Sequence, residues 1–213
     1  MDGLRERHKN QLRIALRDAA LLRFVRDGFD ATTVDDIAAD VDVSPRTFFR
    51  HFPTKDAVAV VPYVELFDRW EALVRSAPAG EPLITTLRNA SHMVTEAYET
   101  DSEFWDRHHG AVARDSSLAL RMVETQARLQ QRAAQALADR LGLDVDRDVR
   151  PRVLAAAAMA TVAAAVAQWY ASGKKGDRRA LVDAAYEEVV RAGTLLYEPL
   201  PAIPTCAKND RGG

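Results

Sequence analysis

Apolar residues recur every three or four positions along most of this 213-residue chain, the period of an amphipathic helix, and alternating strand patterns are few. The first stretch predicts a helix over 4–27, with Leu12, Ala15, Leu16, Ala19, Leu22 and Phe24 on one face and Gly28 as its stop. Two short helices follow, at 34–41 and from 45 to the proline at 53, and then a longer one over 55–75. Pro78-Ala79-Gly80 breaks the chain, after which helices are predicted over 82–99, 102–112, 116–141, 147–171 and 178–197. Gly142 stops the third of these, and Ser172-Gly173-Lys174-Lys175-Gly176 joins the last two. Residues 199–213, with prolines and charges, read as a flexible tail. The predicted fold class is all-α.

The two short helices meet in TTVDDIAADVDVSPRTFFRHFPTKDAV, residues 32–58. Thr33 can cap the first, and Asp35 and Asp36 suit the positive end of its dipole. Asp42-Val43 interrupts the pattern. Ser44-Pro45 then gives a second start signal, a capping hydroxyl followed by a proline whose missing N–H costs nothing at the first helical position. Between 45 and 55 the charged residues are Arg46, Arg50 and Lys55, with His51 beside them and no carboxylate. This is a helix-turn-helix whose second helix suits phosphates and base edges. Phe48 and Phe52, spaced i, i+4, are expected in the core of the motif with Ile37, Val41 and Val43 nearby.

At these residues the chain resembles the tetracycline-repressor (TetR) family of transcriptional regulators. The resemblance covers the first helix ending in Arg26-Asp27-Gly28-Phe29, the TTVDDIA opening of the second, the SPRTFFRHF recognition segment and the TKDAV start of the fourth. It implies that Thr33, His51 and Lys55 touch phosphates while Ser44, Arg46 and Thr47 face the major groove. A tyrosine commonly stands where this chain has Phe49, which keeps the aromatic body and loses the phosphate-binding hydroxyl. From Leu118 onward the chain also resembles the C-terminal domain of mycofactocin-type regulators. The implied organisation is an N-terminal three-helix DNA-binding domain over 1–54 and a larger helical ligand-binding and dimerisation domain over 55–198. The expected function is that of a dimeric transcriptional regulator, a repressor released from pseudo-palindromic double-stranded operator DNA by a small, largely apolar effector.

Charge narrows this picture. A net charge of −2 is not that of a generally basic nucleic-acid binder, yet residues 1–26 carry seven Arg or Lys against three acids, a local net of +4. The electrostatic footprint is restricted. With 47% hydrophobic residues the chain can bury a substantial core. One cysteine, Cys206, excludes an intrachain disulfide and a metal site built from several thiolates. No basic-plus-apolar leader begins the chain, so a cytoplasmic location without membrane association is expected.

The middle helices are rich in large side chains, and Tyr63, Phe67, Trp70, Met93, Tyr98, Phe104, Trp105 and Met122, with His108 and Gln126 as polar anchors and His92 near them, are candidates for lining a ligand pocket. For any one of them taken singly, filling the core is the more common role, and it is the family resemblance that favours a pocket for the set. Residues 153–167 are almost wholly apolar and dominated by alanine, which lets helix axes approach closely. Val153, Ala157, Ala160 and Ala164, with the stripe Val182, Ala185, Val189, Ala192 and Leu196 of the last helix, form the candidate dimer interface. A second stripe, Tyr186, Val190, Gly193 and Tyr197, would face the other way, and both could also pack within one subunit.

Ser91-His92 and the Asp106, His108, His109 group have side chains of the catalytic and metal-binding types, but neither comes with a nucleophile turn or ligand spacing. Adjacent helical histidines point about 100° apart. No enzyme activity, metal or cofactor is expected. The alternative to a regulator is a helical small-molecule-binding or adaptor protein that does not act on DNA.

Overall fold

In a computed structural model the backbone of residues 2–195 and the side-chain environments of residues 4–191 are described. All the described regular structure is helical: α1 (Asp2–Asp27), α2 (Val34–Asp40), α3 (Pro45–His51), α4 (Ala57–Ser76), α5 (Leu83–Thr100), α6 (Ser102–Arg114), α7 (Ser116–Leu141), α8 (Arg150–Ala171) and α9 (Arg178–Leu195). Gly28 at φ 92° and Gly142 at φ 64° hold the left-handed conformations that end α1 and α7, a region costly for residues with a Cβ. Thr33 and Asp36 form a reciprocal capping box at α2, and the Ser44 hydroxyl accepts from the Thr47 N–H at 3.2 Å to start α3. α8 begins three residues later than its pattern suggests, with Pro151 in its first turn.

Two cores hold these helices together. The first gathers Leu16, Ala20, Leu21 and Phe24 of α1 with Ile37, Phe48 and Phe52, the α4 start at Ala57, Val58 and Ala59, and Tyr98, Phe104, Trp105 and Ala111. Phe48 and Phe52 are fully buried, as their spacing predicts. The face of α1 is rotated from the expected one. Leu22 is 54% exposed, while Ala20 and Leu21 turn inward with Leu16 and Phe24, because α2, α4 and α6 all pack against α1 and together decide which of its apolar residues are covered. The second core joins Phe67, Trp70 and Val74 of α4 to Leu87, Leu129, Ala133, Leu137, Ala155, Ala158, Ala165, Val182 and Tyr186.

The first core crosses the segment between the helix-turn-helix and the rest of the chain. Polar contacts reinforce the crossing: Arg17 reaches Asp101 at 2.9 Å, Arg13 reaches Glu65 at 2.5 Å, and the Asp115 carboxylate accepts from Phe29 N–H at 2.9 Å while capping α7 through Ser117 and Leu118. Burial alone would raise the pKa of Asp115, but these backbone donors hold it below the ordinary carboxylate value. The helix-turn-helix is therefore fixed to α6 and α7 as well as to α4, a second route that the sequence pattern did not give.

α8 has the length and composition to cross a membrane. Its Ala155, Ala158, Thr161, Ala165 and Trp169 nevertheless form one buried stripe, and the helix packs mainly along α7 and α9.

Candidate functional site

The surface of α3 is built outward from its buried Phe48. Ser44, Arg46, Phe49 and Arg50 are exposed and Thr47 is half-buried, its hydroxyl 3.0 Å from that of Ser44. Thr33 is exposed at the start of α2, and its cap leaves its side chain at the surface. The Thr33 hydroxyl accepts from the Asp36 N–H at 3.1 Å and donates its one proton to the Asp36 carboxylate at 2.5 Å, so donation to a phosphate would replace that second bond. Phe49 is 52% exposed and rests edge-on against Phe48.

Two residues assigned to phosphates have other surroundings. The Lys55 ammonium donates to the carbonyls of Phe29 at 2.5 Å and Thr32 at 2.8 Å, and lies 4.1 Å from the centre of the Phe29 ring. It clasps the α1–α2 loop to the start of α4. This position is set by tertiary packing that a motif cannot display, and it leaves the ammonium one N–H for any other partner. His51 is half-buried with its Nε2 unpartnered, so a phosphate would meet the other edge of the ring. Burial, then the neighbouring Arg50, Lys9 and Arg13, push its pKa down. The same cations make the place attractive to an anion.

A cavity of about 400 Å³ lies among α4, α5, α6, α7 and α8. Seven expected residues line it: Tyr63, Phe67, Trp70, Tyr98, His108, Met122 and Gln126. Met93, Phe104 and Trp105 do not. They border a separate cleft shared with Arg17, Pro62 and Arg69 near α1. For the two α6 residues the reason is the rotation of that helix: His108, His109 and Val112 face the cavity, whereas Phe104 turns to α1 and carries the Arg17 guanidinium 3.9 Å above its ring. Trp105 backs the cavity wall by stacking on Tyr98 at 4.3 Å.

Sequence reasoning missed the α8 wall, where Met159, Val162, Val166 and Tyr170 line the cavity. The signal was present: in a run of alanines, these are the bulky residues, spaced three or four apart on one helical face. An alanine-rich run suits a helix–helix interface equally well, which hides the wall. On the interface side, Val153, Ala160, Ala164 and Val189 are exposed in the subunit and Ala157 and Ala185 are half-buried. Val182 is fully buried in the second core and is out of reach of a partner. The side chain of Ala192 and the whole of Leu196 lie outside the described residues, as do Gly193 as a side-chain position, Tyr197 and the 199–213 segment.

The residues of catalytic type have structural partners. Ser91 shares a hydrogen bond with the Tyr186 hydroxyl at 2.9 Å, His92 meets Asp183 at 2.9 Å, and Asp106 accepts from Tyr170 at 3.0 Å and pairs with Lys174.

Two family models match the chain. Residues 16–60 fit the description "Bacterial regulatory proteins, tetR family", and residues 81–193 fit the "MftR C-terminal domain". Over 174 residues the chain is 32% identical to the HTH-type transcriptional regulator TcmR of Streptomyces glaucescens, covering 79% of this chain and 77% of that one. The chain belongs to the TetR family. Among solved structures, the SmeT–triclosan complex superimposes with a TM-score of 0.59 at 21% identity, covering 90% of this chain and all 100% of that one. The fatty acid degradation regulator FadR from Bacillus halodurans gives a TM-score of 0.55 at 19% identity, covering 82% and 92%. These two show the fold. The protein is thus a TetR-family transcriptional regulator with a DNA-binding helix-turn-helix and an MftR-like C-terminal domain.

Proposed function

We propose that this regulator is a dimeric repressor that binds pseudo-palindromic operator DNA through α3 and leaves it when a small, largely apolar compound fills the cavity. The observation that carries the reading is the double use of α4 and α6. Both wall the cavity, and both pack into the core that holds α1 and the helix-turn-helix. A ligand that spreads these helices acts on the spacing of two recognition helices in a dimer, and only a difference in affinity between the two spacings shifts DNA binding. α4 also contains Pro62, whose missing N–H leaves the Val58 carbonyl without its i+4 partner and marks a place where the helix can bend. The SmeT complex with triclosan is a precedent for a small-molecule ligand on this fold.

In this reading Ser44, Arg46 and Thr47 reach base edges, Thr33 and His51 reach phosphates, and residues 1–54 act as the DNA-binding unit. Dimerisation uses the exposed apolar side of α8 and α9, including Val153, Ala160, Ala164 and Val189, which two-fold operators require. The site of action is the cytoplasm. Selection from a pool of random duplexes tests the DNA-binding part. An enriched two-fold site is expected, with Arg46→Ala losing about 1–3 kcal/mol and relaxing preference at one base pair in each half. Failure to enrich any sequence would favour the adaptor reading.

A further inference from the structure

The polar groups on the cavity walls fall into two sets. His108 and Tyr170 are engaged: the His108 Nε2 lies 3.1 Å from the Ala59 carbonyl in the first turn of α4, and the Tyr170 hydroxyl donates to Asp106 at 3.0 Å. Tyr63 of α4 and Tyr98 of α5 are not. Among the described residues neither phenol has a hydrogen-bond partner, and neither oxygen is sealed off from solvent. Tyr98 is only 6% exposed and lines this cavity, not the neighbouring cleft, so the open surface of its oxygen is cavity surface. Tyr63 likewise borders the cavity and not the cleft. The Tyr98 ring is fixed by stacking on Trp105 at 4.3 Å. Burial, with the Tyr63 and Tyr170 phenols close by, raises the pKa of Tyr98, and burial raises that of Tyr63, so both keep their protons.

A phenol donates better than it accepts, because its oxygen lone pairs are shared with the ring. Two protonated phenols facing an apolar space without an acceptor therefore call for a ligand oxygen that can only accept. The other walls set the rest of the ligand. Phe67 and Trp70 stack at 5.5 Å and favour a flat unsaturated body. No Arg, Lys, Asp or Glu is among the described lining residues, and burial holds the His109 imidazole below its ordinary pKa, so an anion would be left uncompensated. We propose that the cavity takes a neutral, flat, unsaturated compound carrying a carbonyl group, whose oxygen accepts hydrogen bonds from the Tyr98 and Tyr63 hydroxyls. The proposal rests on the cavity being the effector site. It adds the ligand class and the two residues that select it.

Equilibrium dialysis of the full chain at pH 7 against three probes of one frame tests both layers separately: 9-fluorenone, fluorene and fluorene-9-carboxylate. The ketone is expected to bind roughly tenfold more tightly than the hydrocarbon, as hydrogen bonds completed in a dry site would give, with the carboxylate weakest. Tyr98→Phe and Tyr63→Phe each remove one oxygen and keep the ring. Each should weaken binding of the ketone and leave that of the hydrocarbon unchanged, and the double variant should bind the two alike. Should the double variant fail to fold, the single variants and the ranking in the unmodified protein still decide. Equal affinities for ketone and hydrocarbon, a carboxylate that binds best, or a ketone preference that survives undiminished in the folded variants would each overturn the carbonyl assignment and leave the cavity as a ligand site. Binding of none of the three would overturn both.

Discussion

Lys55→Met separates a structural clasp from a phosphate contact. The ammonium holds the Phe29 and Thr32 carbonyls at 2.5 and 2.8 Å and faces the Phe29 ring at 4.1 Å. Phe29 and Thr32 are both buried, so methionine would fill the stem's place and strand two carbonyls in a loop with little access to water. Hydrogen bonds to a charged group contribute about 1.5–3 kcal/mol each when buried, but here two share one half-exposed ammonium, which argues for about 2 kcal/mol for the pair. The cation–π contact adds about 0.5–1 kcal/mol. A loss of about 2–3 kcal/mol in unfolding free energy is therefore expected, measured by urea denaturation at fixed protein concentration, since dimer stability depends on concentration. The salt dependence of DNA binding should stay parallel to that of the unmodified protein. Intact stability together with a slope reduced by about 0.9 would return Lys55 to the phosphate backbone and refute the clasp.

Further outcomes follow from other residues. His108 has a folded pKa of about 4 against an ordinary 6.5, so the unfolded chain binds more protons between those values, and stability present above pH 6.5 should be lost as pH falls toward 4, by about 3 kcal/mol for this group. Denaturation at pH 7.5 and 4.5 should show that His108→Phe has the shallower pH dependence; equal slopes would mean the ring is not buried neutral. Phe49→Tyr should tighten operator binding by about 0.5–1.5 kcal/mol in anisotropy titrations if the added hydroxyl finds a phosphate, and unchanged affinity would mean α3 is tilted away from it. Ala160 is exposed in the subunit, so Ala160→Glu should leave helicity by circular dichroism intact while light scattering shows monomers; an unaltered dimer would place the interface elsewhere.

Periodicity located the helices well because caps and stops are local. Ser44-Pro45, Asp115 and Gly142 act on their own neighbours, and α7 has the predicted bounds of 116 and 141. Which face of a helix is covered is a tertiary matter that local periodicity does not settle. Leu22 looked like core and is exposed; Val182 looked like interface and is core. α1 and α9 each present apolar residues over more than one stripe, and neighbours on several sides decide among them. The cavity was legible where aromatic residues stand out, at Tyr63, Phe67 and Trp70. It was not legible on α8, where alanine suits a subunit interface and a cavity wall alike. The roles of Lys55 and His108 depend on carbonyls 26 and 49 residues distant in sequence, which no local pattern encodes.

Coupling between cavity and DNA is the central claim, and its direct test is a reciprocal titration. A compound whose binding is lost in Trp70→Ala would be titrated into the protein by calorimetry with and without the selected operator duplex, and the duplex titrated with and without the compound. The account predicts that each weakens the other by the same factor, a coupling of about 1–3 kcal/mol. Equal compound affinities in the presence and absence of the duplex would contradict it and leave a DNA-binding protein whose cavity has no hold on its recognition helices.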